Sequence, residues 1–411
     1  MRTATRNYRL MGRFSHRSPS LAAVFRVPFS VSLLPADSHP LPATGHPPLP
    51  AFPPAPPPPC PVVCLTCGDP AGIGPEVVLA AWSRSAAHAR ARLRVVARPE
   101  LLDEVLRCVP ALPRLAVERV AVDDPRPSTA GTVLAIDPGG SGEEVPRGRI
   151  SAAGGRAAVG ALELAFRIVR DAGRHAALVT GPLHKAALHA AGHELPGHTE
   201  WLARACGLPD AAASMMLWLP PLSGTPAVGT IPGGRGLGVV HVTLHEALAS
   251  ALGRLSTAGI VAAGERLAPL LTALLGRRPR IGVAALNPHG GEGGLFGDEE
   301  GRIIVPAVAA LQAAGIDTDG PFPADTLFLR AAHGAFDGIV AQYHDQGHIA
   351  VKLLGMHRAV NITLGLPIVR TSVAHGTAFD IVGRGAADPT SMEAAIDAAV
   401  RLVEAGWIGG G

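Results

Sequence analysis

Late in the chain, one run reads Gln342-Tyr343-His344-Asp345-Gln346-Gly347-His348-Ile349-Ala350-Val351-Lys352. It sets an imidazole, a carboxylate and a cation close together in a stretch punctuated by glycine. Two more histidines stand in unusual company upstream: His241 in Val239-Val240-His241-Val242-Thr243-Leu244, and His289 in Asn287-Pro288-His289-Gly290-Gly291-Glu292-Gly293. Three imidazoles without a fourth protein ligand suit a catalytic metal with open positions, not a closed structural site. His241 and His245 are spaced i, i+4, as are His344 and His348, a spacing that aims both rings of a pair at one ion if the backbone is helical. Neither pair is expected to act that way, because His241 sits in a strand-like run and Gly347 argues against a helix through His344. One histidine from each cluster remains, namely His241, His289 and His344, with His348 a bystander.

Anion-binding chemistry comes next. Lys352, Asn361 and Arg370 lie in the apolar runs Val351-Lys352-Leu353, Val360-Asn361-Ile362 and Val369-Arg370-Thr371. A buried unpaired charge is costly, so the Lys and Arg are expected to meet an anion, either an internal carboxylate or a ligand phosphate or carboxylate. Gly197-His198-Thr199-Glu200 reads as a helix start with Thr199 near the cap position, and His198 as a donor to an anionic substrate. Lys185 and Asp345 are both candidates for proton transfer, and the sequence does not choose between them. Gly68-Asp69-Pro70-Ala71-Gly72-Ile73-Gly74-Pro75-Glu76 reads equally well as a tight packing turn or a ligand loop. No Gly-x-Gly-x-x-Gly run occurs, so the Rossmann dinucleotide fingerprint is absent.

The elements that must position these residues alternate between strand and helix. Val62–Thr66, Leu93–Ala97, Ala176–Thr180, Val239–Thr243, Arg280–Leu286 and Gly338–Ala341 read as strands. Gly74–Ser83, Pro99–Arg107, Gly155–Ala172, Leu244–Leu255, Gly264–Leu275, Ile303–Ala314 and Ser391–Ala405 read as helices. The alternation predicts an α/β fold with a mostly parallel, helix-covered sheet, whose ligands bind at the carboxyl ends of strands. The clusters at Thr180–Lys185, His241, Asn287–His289 and Gln342–Asp345 all follow strands and are expected at that one end.

The bulk numbers exclude other classes. The 411 residues are 47% hydrophobic and 17% charged, which fits a globular enzyme with a sizeable core. The net charge of +3 misleads, since residues 1–60 hold six Arg and one acid, leaving the rest mildly acidic and without a nucleic-acid stripe. Residues 35–61 hold 13 of the 39 prolines, so residues 1–60 are expected to be a disordered extension, either a transit-like segment or, in the preferred reading, not part of the native protein. The folded unit is expected to span residues 61–411 as two α/β subdomains with the site between them. Five cysteines (60, 64, 67, 108 and 206) without framework spacing point to a reducing, cytoplasmic setting. A zinc reading of the first three is disfavoured because Cys64 falls in an apolar strand.

Read together, seven motifs resemble the 4-hydroxythreonine-4-phosphate dehydrogenase (PdxA) family. They are Gly68 to Glu76, Thr180 to Lys185, Gly197 to Glu200, Asn287 to Gly293, Pro323 to Thr326, Tyr343 to Gly347, and Asn361 to Pro367 continuing through Arg370 to Thr377. The likeness runs in order over residues 62–405. It implies two α/β/α three-layer domains with a central cleft, like isocitrate and isopropylmalate dehydrogenases, in a homodimer whose site draws on both subunits. It implies metal ligation (Zn, Co, Mg or Mn) by His241, His289 and His344, and substrate contacts from His198, Thr199, Lys352, Asn361 and Arg370. It also implies NAD- or NADP-dependent oxidation of 4-phosphooxy-L-threonine, with decarboxylation, in vitamin B6 synthesis. The alternatives are a dehydrogenase of erythronate or threonate 4-phosphate, a phosphate acyltransferase on a related fold, and a non-catalytic metal-binding protein. Cys67, His348 and the Gly/Pro-rich stretch from Pro220 to Gly236 depart from the family pattern.

Overall fold

The computed structural model describes residues 60–140, 142–194, 197–221 and 235–409. The expected N-terminal extension and most of the Pro220–Gly236 stretch lie outside the described residues. The described strands are β1 (Val62–Thr66), β2 (Arg92–Val96), β3 (Ala116–Arg119), β4 (Thr132–Ile136), β5 (Ala176–Thr180), β6 (Ser214–Leu219), β7 (Leu237–His241), β8 (Ile281–Ala284), β9 (Thr318–Phe322), β10 (Gly338–Ala341), β11 (Val360–Leu364) and β12 (Val369–Val373). They form one continuous sheet in the order β3-β4-β2-β1-β5-β12-β11-β6-β7-β10-β8-β9. Strands such as β5 and β7 are buried at every residue, which is why they read as unbroken apolar runs and not as alternating ones.

Strand direction overturns one expectation. β5 runs parallel to β12, but β11 is antiparallel to β12, β6 to β11, and β7 to β6. β10 and β8 continue parallel to β7. The carboxyl end of β5, carrying Thr180, therefore points the opposite way from those of β7, β8 and β10, and the four polar clusters do not share one sheet edge. β1, β2, β5, β7, β8 and β10 were legible as apolar runs, but β3, β4, β6, β9, β11 and β12 were not, and the reversals arise where consecutive strands β6–β7 and β11–β12 pair antiparallel.

Eleven α-helices are described: α1 (Gly74–Arg84), α2 (Pro99–Cys108), α3 (Ala152–Ala172), α4 (Lys185–Ala190), α5 (His198–Ala205), α6 (Leu248–Arg254), α7 (Thr257–Leu275), α8 (Val305–Ala313), α9 (Ala324–Ala332), α10 (His344–Gly355) and α11 (Thr390–Glu404). The main core packs α1, α3, α7 and α11 on the sheet. A smaller core of Leu217, Val239, Phe336, Ile339 and Val351 lies under α9 and α10. Helix α7 is long and apolar enough to cross a membrane, but Ile260, Leu267, Leu270, Leu271 and Leu274 bury one side of it in the core.

Two glycine-bearing segments are settled by close approach. A Cβ on Gly68 would collide with the Pro182 carbonyl, and one on Gly74 with the Cys67 carbonyl. The Asp69 N–H donates to the Pro182 carbonyl at 2.9 Å. The Gly68–Glu76 loop thus packs against the loop after β5. Cys64 and Cys67 are buried and all five cysteines are free thiols. In the other segment, α10 begins at His344 and runs through Gly347, contrary to the expectation of no helix there. Gly347 tolerates the helix because its cost there is only about 1 kcal/mol relative to Ala. A Cβ at that position would strike Nε2 of His241, so the glycine admits the imidazole against the helix backbone.

Candidate active site

Arg370 anchors the first part of the site. It is 2% exposed on β12, with Nη1 donating to Thr363 Oγ1 at 2.9 Å and Nη2 to Thr180 Oγ1 at 2.7 Å. Burial pulls its pKa down to about 10, with the Glu200 charge offsetting part of that, so the guanidinium stays cationic at neutral pH. Its Nε is buried without a partner, as are His198 Nε2 and Asn361 Oδ1. Burial, followed by the Arg370 charge, holds His198 well below its ordinary pKa, so it is a neutral ring. His198 and Thr199 open α5, whose cap is Gly197 and not Thr199. Asn361 lies half-buried on β11, its Nδ2 4.0 Å from Met215 Sδ. A buried cation held by neutral hydroxyls, beside several unpartnered polar atoms, is matched to a phosphate or carboxylate.

The histidines form the second part. His241, 3% exposed, ends β7. Its Nε2 lies 3.1 Å from His348 Nδ1, and the His344 and His348 rings stack at 3.7 Å between centroids. His245 joins them with its ring centroid 5.7 Å from that of His344. Burial, followed by the charges of His348, His344 and His245, holds His241 well below its ordinary pKa. Burial, then the His344 charge, pulls His348 to about 4. Neutral imidazole is the form that binds metal. The start of α10 is pinned by Gln342 Nε2 donating to the Ala284 carbonyl at 2.6 Å and Gln346 Nε2 to the Ala285 carbonyl at 2.8 Å.

Sheet register ties the two parts together. β6 and β7 pair Met216 with Val240, so Met215 and His241 follow in that register. Met215 pairs with Thr363, and the pairing of Ile362 with Thr371 brings Thr363 opposite Arg370. Paired residues project from the same face, so His241 and Arg370 share one row of one face. Three inter-strand spacings put their backbones roughly 14 Å apart.

The remaining expected residues stand apart from this row. His289 is exposed on the loop after β8, in a left-handed conformation (φ 53°), with Nδ1 3.1 Å from Glu292 Oε1. Among the described residues, no three His, Cys, Asp or Glu side chains are gathered around a single ion position. Lys352, expected to be shielded by its apolar neighbours, is exposed, because Val351 turns into the core while Leu353 is itself 83% exposed. Lys185 is exposed at the start of α4, and Asp345 is exposed with Oδ1 2.6 Å from His344 Nδ1. The donor set suits a divalent transition metal. His344 and His289 each have Nδ1 beside a carboxylate, the outer arrangement that frees Nε2 for a metal, and His241 Nδ1 is buried without a partner. The sequence reading missed Thr180 and Thr363 as supports of Arg370. Thr363 lies two residues from Asn361 and so on the same strand face, a signal it could have used.

The family model for "Pyridoxal phosphate biosynthetic protein PdxA" matches residues 89–399. A D-threonate 4-phosphate dehydrogenase of Cupriavidus necator is 43% identical over 333 residues, covering 81% of this chain and 94% of that protein. A 4-hydroxythreonine-4-phosphate dehydrogenase of Beijerinckia indica is 44% identical over 342 residues, covering 83% and 94%. The crystal structure of a 4-hydroxythreonine-4-phosphate dehydrogenase from Klebsiella pneumoniae superposes with a TM-score of 0.68 at 37% identity, covering 84% of this chain and 99% of that one. The chain belongs to the PdxA family.

Proposed function

We propose that this chain is a dehydrogenase that oxidises the secondary alcohol of a four-carbon, 4-phosphorylated hydroxy acid. The observation that carries the reading is the shared row of His241 and Arg370, which sets a cluster of imidazoles and a buried cation on one sheet face. Arg370, with His198, Thr199 and Asn361, binds one anionic end of the substrate. Lys352, exposed on α10, binds an anion once a second subunit covers it. His241, His289 and His344 hold a divalent cation (Zn, Co, Mg or Mn), which when bound supplies Lewis-acid polarisation of the substrate oxygen. Asp345 orients His344 through its 2.6 Å contact, and Lys185 and Asp345 are both candidates for the proton acceptor. NAD or NADP, when bound, would supply the hydride acceptor. Support for a dinucleotide comes from the crevice beside β1, where strand order reverses between β2 on one side and β5 on the other. There Asp69 Oδ2 and His184 Nδ1 are buried without partners.

The substrate in this reading is 4-phosphooxy-L-threonine, whose 3-keto product loses carbon dioxide to give 3-amino-2-oxopropyl phosphate on the route to pyridoxal 5'-phosphate. A second reading, D-threonate 4-phosphate, is favoured by relatives of that name at 43% and 42% identity. The two substrates differ at C2, which carries an ammonium in one and a hydroxyl in the other. Purified protein with NAD or NADP and each substrate in parallel decides between them. Reduced nicotinamide with neither substrate, metal present, would sink both.

A cytoplasmic homodimer accompanies the proposal. The support for a dimer is an apolar stripe along α10 and the turn after it, where Ile349, Leu353 and Met356 are 57%, 83% and 46% exposed around Lys352. A native mass equal to one chain would remove the shared site.

A further inference from the structure

A mostly apolar cavity of about 280 Å³ opens at the carboxyl ends of the parallel strands β1, β2 and β4. Cys67, Ala97 and Pro138, each just past its strand, line it together with Leu101 of α2 and Gly160 of α3. Cys67 is one of the departures from the family pattern. None of the residues in the row of His241 and Arg370 lines this cavity, and neither do Asp69 and His184 of the crevice between β1 and β5. The end of an open sheet where parallel strands terminate is the usual place for a ligand in an α/β fold.

Two features of the lining are unexplained by packing within the protein. Gly160 lies inside α3, where glycine is a poor helix former, yet a Cβ on it would meet nothing within 4 Å. Its bareness keeps the cavity open and admits no neighbour of its own. Arg98 stands partly buried at the mouth, and its one side-chain hydrogen bond among the described residues goes to the carbonyl of Glu143 at 3.1 Å. The Glu143 carboxylate is already engaged by Arg156 at 2.6 Å. The three charged residues on the lining therefore leave one positive charge in excess. The adjoining chamber outside Arg98 carries Glu100, Glu104, Asp137 and Glu144 against Arg147, which disfavours a multiply charged anion. Arg119 holds Glu100 and Asp137, so Arg98 is not drawn to either.

We infer that this cavity is a binding site for a planar ring compound bearing one carboxylate, with the ring between α2 and α3 and the carboxylate on the Arg98 guanidinium. An apolar cavity of roughly 150 Å³ stays dry and admits benzene, so this larger one has room for two fused rings. The planar fork of a guanidinium matches a carboxylate in two parallel hydrogen bonds. The site stands independently of the reaction assigned above.

The test is calorimetric titration of the full chain with naphthoate, naphthol and acetate, which supply ring and charge, ring alone and charge alone. Wild type, Gly160→Leu and Arg98→Met are compared. Wild type is expected to bind one naphthoate about tenfold more tightly than naphthol, in line with a hydrogen bond to a charged group, and to show no measurable binding of acetate. Arg98→Met should remove that preference and leave naphthol unaffected. Gly160→Leu fills the cavity and should lose both ring compounds, while its melting temperature stays level or rises because leucine favours the helix. Saturating NAD should leave naphthoate affinity unchanged. No binding of naphthoate by wild type at millimolar concentration overturns the proposal, as does equal affinity in wild type and Gly160→Leu. A preference for naphthoate that survives in Arg98→Met overturns the placement of the carboxylate, and competitive displacement by NAD overturns the separation from the dinucleotide crevice. If Gly160→Leu fails to fold, Arg98→Met decides by the same criterion.

Discussion

Around Arg370 a permanent charge is kept in a buried place by neutral hydroxyls, whereas around His241 burial keeps the His241 and His348 rings neutral. Both regions lie on one face of one sheet. In the first, the protein supplies the cation and leaves the anion to the ligand. In the second, it supplies lone pairs and leaves the cation to the ligand. Each region is electrostatically incomplete alone, and a molecule that is anionic at one end and able to chelate a cation at the other satisfies both. The incompleteness also has a structural cost, since a buried charge without an ion-pair partner destabilises the fold.

The contrast can be broken most severely at Arg370. Arg370→Met is expected to lower kcat/KM by about three orders of magnitude, within the 2–5 kcal/mol of a truncated buried charge contact. The melting temperature of the ligand-free protein should stay level or rise, because a costly charge is gone. Steady-state kinetics and a melting curve check this, and retained turnover would separate Arg370 from substrate binding. At the other region, His289→Ala should weaken metal retention by at least the 10–100-fold attributed to outer residues, with little change in fold. Elemental analysis after dialysis measures it, and unchanged metal content would remove His289 from the set. Chelation should abolish reduction of the nicotinamide, and Zn, Co or Mn should restore it.

Smaller effects sharpen the comparison. Thr363→Val removes one hydroxyl from Arg370 and should raise KM about tenfold, consistent with about 1.5–3 kcal/mol for a hydrogen bond to a charged group. An unchanged KM would show that Thr180 alone positions the guanidinium. The mildest perturbation is pH. His348 is pulled to about 4 in the folded chain from an ordinary value near 6.5. Between those values the unfolded chain binds the proton and the folded chain does not, so metal-free stability should fall as pH drops from about 6.5 towards 4. His241, depressed in the same direction, adds to the loss. Chemical denaturation across that range tests it. The slope should shrink in His348→Leu, and a slope unaltered by that change would assign the effect to other groups.

Much of the site could be read locally. The strand runs placed His241 at the end of one strand and His344 just after another, because strand content follows from residue type and short-range period, whereas the helix starting at His344 and the strand carrying Arg370 were not expected. Lys352 misled because flanking apolar residues say nothing about which side of a helix a residue occupies. Gly347 misled because a glycine is read as a helix breaker from propensity alone, and the reason for it lies 106 residues away in the ring of His241. Thr180 and Thr363 carried no sign that they would meet at one guanidinium.

The sequence by itself determined the donor types, the strand–helix alternation and the family. These depend on side-chain chemistry and on periods of a few residues. Only the tertiary structure decided that β5 and β7 run opposite ways, that His241 and Arg370 share a row, and that His348 touches His241. The contacts of β5 with β12 and of His241 with His348 join segments more than a hundred residues apart, while β6–β7 is a pairing of consecutive strands. They are fixed by which strands hydrogen-bond and which faces bury together, and no short stretch of chain contains that information.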